Sequence, residues 1–157
     1  MFVEVYERLN HTHTPVDDYL ILDHDIREKG RFKTISKKGT EVRVFLERGK
    51  TLGIGEYLKT ECGKVIEVTG AEEDVTKASC ADWEVFSKAC YHLGNRHVKI
   101  QVGERWLRIK PDYVLEEMLN LLGLSVESET AVFLPESGAY SKGYSHHHGN
   151  PQHEHDH

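Results

Sequence analysis

The sequence predicts an α+β chain in three parts: a small all-β domain over residues 1–72, a ferredoxin-like βαββαβ domain over 73–140, and a disordered histidine-rich tail over 141–157. Three observations carry this. Apolar residues alternate with period two in the first half, and no long helical period appears before residue 80. Two apolar stripes at spacings of three and four then interrupt strand-like segments. From Ser141 onward no aliphatic residue occurs.

Strands are expected in the first half at residues 2–6, 19–22, 31–35, 41–46 and 64–68. The clearest is 41–47, where Val42, Val44 and Leu46 point one way and Glu41, Arg43 and Glu47 the other. Glycines at 30, 39, 49, 53, 55, 63 and 70 punctuate this half as turn residues.

Beyond the acidic stretch Glu72, Glu73, Asp74 the texture changes. Residues 75–79 read as a strand. Residues 81–93 carry Trp83, Phe86, Cys90 and Leu93 on one face of a helix that Gly94 is expected to end. Strands follow at 98–102 and 106–109 around a turn containing Gly103. Asp112 is placed to cap a second helix whose apolar face is Val114, Leu115, Met118, Leu119 and Leu122, with Gly123 stopping it. A last strand is expected at 131–134. The order is that of the split βαβ arrangement. The tail has too little apolar area to offset ordering its backbone, so it is expected to be mobile without ligand.

Composition excludes several function classes. The charge balance of 20 basic against 26 acidic residues gives −6, which argues against a nucleic-acid partner. No stretch approaches the roughly 20 apolar residues of a membrane helix, so no membrane partner is expected. The start, MFVEVYERLNHTH, shows no basic segment followed by an apolar core, and three cysteines without a CxxC pair make no disulfide framework. A cytosolic, cytoplasmic location is therefore expected. There is no HExxH, GxSxG, Walker loop or GxGxxG, and the chain is not expected to be an enzyme.

The histidines are distributed unevenly. Six of eleven (His146, His147, His148, His153, His155 and His157) fall in the last twelve residues. Neutral imidazole is a common ligand for Ni(II), Zn(II), Co(II) and Cu(II), and several on one flexible segment raise the local ligand concentration. Loose, exchangeable binding of that kind suits a carrier. A purification tag would be an uninterrupted run, whereas acidic residues interleave here. His97 would extend the stripe of Trp83, Phe86, Cys90 and Leu93 by four residues, and pattern alone favours a structural histidine there over a ligand. His11 and His13 form a His-x-His pair in a turn-like segment, read as loop or as a weak metal pair. His92 is expected on an exposed helix face, and His24, between Asp23 and Asp25, in solvent. Cys62, Cys80 and Cys90 lack metal-ligand spacing.

The stretch from Cys80 to His97, above all Ala89-Cys90-Tyr91-His92-Leu93-Gly94-Asn95-Arg96-His97, resembles the signature of the UreE urease accessory proteins, a family of nickel metallochaperones. The helix opening at Asp112 and the histidine-rich tail match the same family. The resemblance implies a peptide- or partner-binding β domain and a metal-binding, dimerising βαββαβ domain. It places His97 from both subunits of a homodimer on the two-fold axis, with the tail histidines completing the Ni(II) site. It also implies the urease apoprotein and its other accessory proteins, including a GTPase, as partners. Some relatives carry His-Asp-His at the start of the second helix. Here the positions read Pro111-Asp112-Tyr113, so that secondary site is expected to be absent. The rival readings are a nickel or zinc storage or detoxification protein without a client, a metal-dependent enzyme, and a plain interaction module.

Overall fold

A computed structural model describes residues 1–137 of the chain. The first six strands are β1 (Phe2–Leu9), β2 (Asp18–Leu22), β3 (Arg31–Ile35), β4 (Glu41–Phe45), β5 (Tyr57–Thr60) and β6 (Val65–Gly70), with a short helix α1 (His24–Arg27) between β2 and β3. They form one sheet in the order β2-β6-β5-β1-β4-β3, with β1–β4 and β2–β6 parallel and the other pairs antiparallel. The alternation in β4 buries Val42 and Val44 completely, and they join Val5, Leu20, Leu58 and Val68 in one core. Tyr6 is the extra residue where the β1–β5 register shifts, and its ring stacks on Phe45.

The expected strands at 2–6, 19–22, 31–35, 41–46 and 64–68 all appear, with ends moved by up to three residues. Two elements were not expected. β5 offers one buried aliphatic residue, Leu58, beside the buried Thr60. α1 has four residues, too few to show a period.

The second half holds β7 (Glu72–Ser79), α2 (Trp83–Asn95), β8 (Gln101–Val102), β9 (Trp106–Ile109), α3 (Tyr113–Leu122) and β10 (Ser125–Val132). Their sheet runs β10-β7-β9-β8, antiparallel throughout. Phe86, Ala89 and Leu93 of α2 and Leu115 and Leu119 of α3 share a core with Ala78, Leu107 and Ile109 of the strands.

Several boundaries differ from expectation. The acidic stretch Glu72–Asp74 is strand, because β10 pairs with β7 along its whole length, from Glu72↔Val132 to Ser79↔Ser125. β10 spans 125–132 rather than 131–134: its polar segment is held by backbone pairing and gives little apolar signal. Trp83 and Val114 were assigned to core-facing stripes but stay more than half exposed.

The two sheets meet at a polar seam. The guanidinium of the buried Arg27 donates to the carbonyl of Phe133 at 2.8 Å, and Phe133 is wholly buried. The backbone amide of His24 donates to Glu73 at 2.8 Å. Lys110 reaches Asp25 at 2.7 Å, and Lys99 reaches Glu28.

Candidate metal centre

His97 sits where α2 ends. The helix opens on Asp82, whose carboxylate accepts from the amides of Glu84 at 2.8 Å and Val85 at 3.3 Å. It closes with two bonds: the His97 amide to the Gly94 carbonyl at 3.0 Å, and the Val98 amide to the Leu93 carbonyl at 3.1 Å. That pair is the Schellman cap, and Val98 packs in the same core as Leu93, the apolar contact that accompanies it.

The cap requires one left-handed residue, usually glycine. Helix α3 ends the same way, with Gly123 at φ 107° and bonds from Gly123 to Asn120 and from Leu124 to Leu119, both 3.0 Å. In α2 that position belongs to His97, at φ 59°. Gly94, expected to stop the helix, remains inside it. The expected extension of the core stripe to His97 is thereby corrected: the chain turns out of the helix before residue 97, and the side chain is exposed. A glycine would close the cap without a left-handed side chain; histidine is one of the residues that adopt this conformation most readily, and here it leaves the imidazole facing solvent.

His146, His147, His148, His153, His155 and His157 lie outside the described residues, as does the whole expected tail. The other histidines are placed. His92 is exposed on α2, its ring edge-on to Tyr91 at 5.3 Å between centroids. His11 and His13 are exposed, with their rings 5.5 Å apart. Cys80 and Cys90 pack against the helical core, and burial pushes the Cys90 thiol up. Asp112 is the cap of α3: its carboxylate accepts from the Leu115 amide at 3.0 Å, and Glu116 accepts from the Asp112 amide at 3.3 Å.

One cluster was missed. His24, expected in solvent, is 5% exposed and meets the Phe133 ring edge-on at 5.6 Å. One ring nitrogen of His24 and one carboxylate oxygen each from Asp25 and Glu28 lie within 4.8 Å of one another. The His24–Glu28 spacing of four residues was the available signal, but a single helical turn gave it no context.

No helix among the described residues is long and apolar enough to cross a membrane. Residues 3–71 match the family model of the UreE urease accessory protein N-terminal domain, and residues 73–157 that of its C-terminal domain. The urease accessory protein UreE of Marinomonas sp. (strain MWYL1) is 64% identical over 146 residues, spanning 92% of this chain and 99% of that protein. The protein of the same name from Psychromonas ingrahamii is 54% identical, spanning 93% of this chain and 98% of its own length. That of Azotobacter vinelandii is 42% identical over 85% of this chain and 81% of its own. These relatives are named as accessory proteins rather than enzymes. With a mostly-strand N-terminal domain and an α/β C-terminal domain matched in order across the chain, this protein belongs to the UreE urease accessory protein family.

Proposed function

We propose that the protein is a cytoplasmic nickel metallochaperone, which binds Ni(II) at a homodimer interface through His97 of each subunit and hands it to the urease apoprotein. Family membership supports the client. The observation that carries the metal role is His97 itself, an exposed imidazole fixed in a cap position where glycine would be easier. An isologous interface doubles this one residue into two ligands. Tyr91, Tyr113, Val114 and Leu121 on the two helices are 63% to 84% exposed, apolar area suited to such a contact.

In this reading residues 1–72 dock the partner proteins, a GTPase among them. Residues 73–140, with ferredoxin-like topology, hold the metal and the two-fold axis. The tail of 141–157 collects Ni(II) with His146, His147, His148, His153, His155 and His157. Transfer proceeds by ligand exchange: tail imidazoles capture the ion, the His97 pair holds it, and the partner's ligands displace them. Open imidazole sites also take Zn(II) and Cu(II), so metal supply and partner recognition set the cargo.

The test is nickel transfer. Full chain loaded with Ni(II) should activate urease apoprotein in the presence of the other accessory proteins, and His97→Ala should transfer less. Equal activation by loaded chain and by free Ni(II) in the same amount would favour a storage protein without a client.

A further inference from the structure

The seam between the two sheets carries a second set of metal donors. His24 and Glu28 stand one helical turn apart, with His24 Nε2 3.9 Å from Glu28 Oε2. Asp25 completes the cluster within 4.8 Å. The other ring nitrogen, Nδ1, is buried and has no hydrogen-bond partner. A buried ring nitrogen without a partner is a desolvation cost without return, and a cation taken by Nδ1 in place of Nε2 would end it. Burial pushes the His24 imidazole below its ordinary range, only partly offset by Glu28, so the ring is neutral and free to ligate near pH 7.

The two carboxylates already hold cations, and both come from the other half of the chain, just before β8 and just after β9. Lys110 is 2.7 Å from Asp25, and Lys99 is 2.5 Å from Glu28. Lys110 also lies 3.8 Å from Glu73, the residue that accepts from the His24 amide. The same oxygens thus serve as anchors for the second domain and as candidate ligands, and they cannot do both at once.

We propose that His24, Asp25 and Glu28 form a divalent-cation site at the domain seam, filled in exchange for the ammonium groups of Lys99 and Lys110. One imidazole nitrogen with two carboxylate oxygens suits borderline ions such as Ni(II), Zn(II) or Co(II) better than Ca(II) or Mg(II). Bonds of about 2.1 Å place neighbouring ligand atoms about 3 to 4 Å apart, so the cluster must tighten slightly. Asp25 is an exposed and Glu28 a half-buried side chain, and both are able to do so. On binding, Lys110 keeps Glu73, while Lys99 is released to solvent. The seam then rests on the Arg27–Phe133 bond, the bond from the His24 amide to Glu73 and the edge-on contact of the His24 and Phe133 rings, so metal occupancy loosens one domain from the other. This site is independent of the His97 reading and fails or stands separately from it.

The test is amide NMR of the full chain titrated with paramagnetic Ni(II). Residues 23–29 and Lys99 should broaden in the wild-type protein and stay sharp in Asp25→Asn/Glu28→Gln, whose substitutions are near-isosteric. Removing the competitors in Lys99→Met/Lys110→Met should bring on the same broadening at about tenfold lower Ni(II), the scale set by freeing two ion pairs. Broadening of residues 23–29 that persists in Asp25→Asn/Glu28→Gln would mean nickel held elsewhere lies near the seam, and would overturn the proposal. So would a lysine double variant that binds no tighter than wild type.

Discussion

The amide of His97 donates to the carbonyl of Gly94 at 3.0 Å, and of these two residues it is the histidine, not the glycine, that takes the left-handed conformation. The left-handed stop therefore falls three residues later than the glycine suggests and leaves an imidazole on the turn. Helix α3, capped by Gly123 with the same hydrogen bonds, is the unstrained version within the same domain.

Stability and function should part company at this position. His97→Gly relieves a left-handed side chain, a gain of about 1 kcal/mol that the glycine's greater unfolded-state freedom partly cancels. The variant should unfold at or slightly above the wild-type midpoint while losing tight Ni(II). Thermal unfolding of the metal-free proteins checks this, and marked destabilisation would mean that the His97 ring makes structural contacts.

Asp112 tests the expectation that the secondary metal site is missing. As a helix cap, Asp112→Ala should cost about 1 kcal/mol of stability. Nickel stoichiometry should stay unchanged. A lower metal count in the variant would make Asp112 a ligand as well as a cap.

The first domain should carry an acid-sensitive knot at Asp18. Burial works to raise its carboxyl, but hydrogen bonds from the Ser36 hydroxyl and the amides of Tyr19 and Lys38, with the Lys38 charge, hold it below the usual range. A depressed folded-state value stabilises the fold above the unfolded value of about 3.9, and that contribution is lost as pH falls through the folded value. Asp18→Asn should cost about 1–3 kcal/mol near pH 7. Denaturant midpoints against pH should show the gap from wild type closing below about pH 4. A gap that is constant down to pH 2 would contradict it.

Much of this was legible in the sequence, for physical reasons that differ by element. β4 could be read because one face is buried and one is wet, so its alternation is clean. Asp112 and Gly123 could be read because a cap and a left-handed stop have few residues to choose from. β10 was misplaced because its segment Ser-Val-Glu-Ser-Glu-Thr is fixed by pairing with β7 rather than by burial. His24 was misread because two flanking aspartates suggest solvent, whereas the ring is covered by Phe133, more than a hundred residues away in sequence. His97 was reached by resemblance and not by pattern: the stripe of Trp83, Phe86, Cys90 and Leu93 stops at the cap.

The most direct measurement of the central claim is Ni(II) calorimetry on the full chain and on His97→Ala. The account predicts about one tight site per dimer, the count one two-fold axis allows, lost in the variant while the weaker sites remain. A tight site that survives His97→Ala unchanged would remove His97 from the centre of the metal site and leave a histidine-tailed metal buffer.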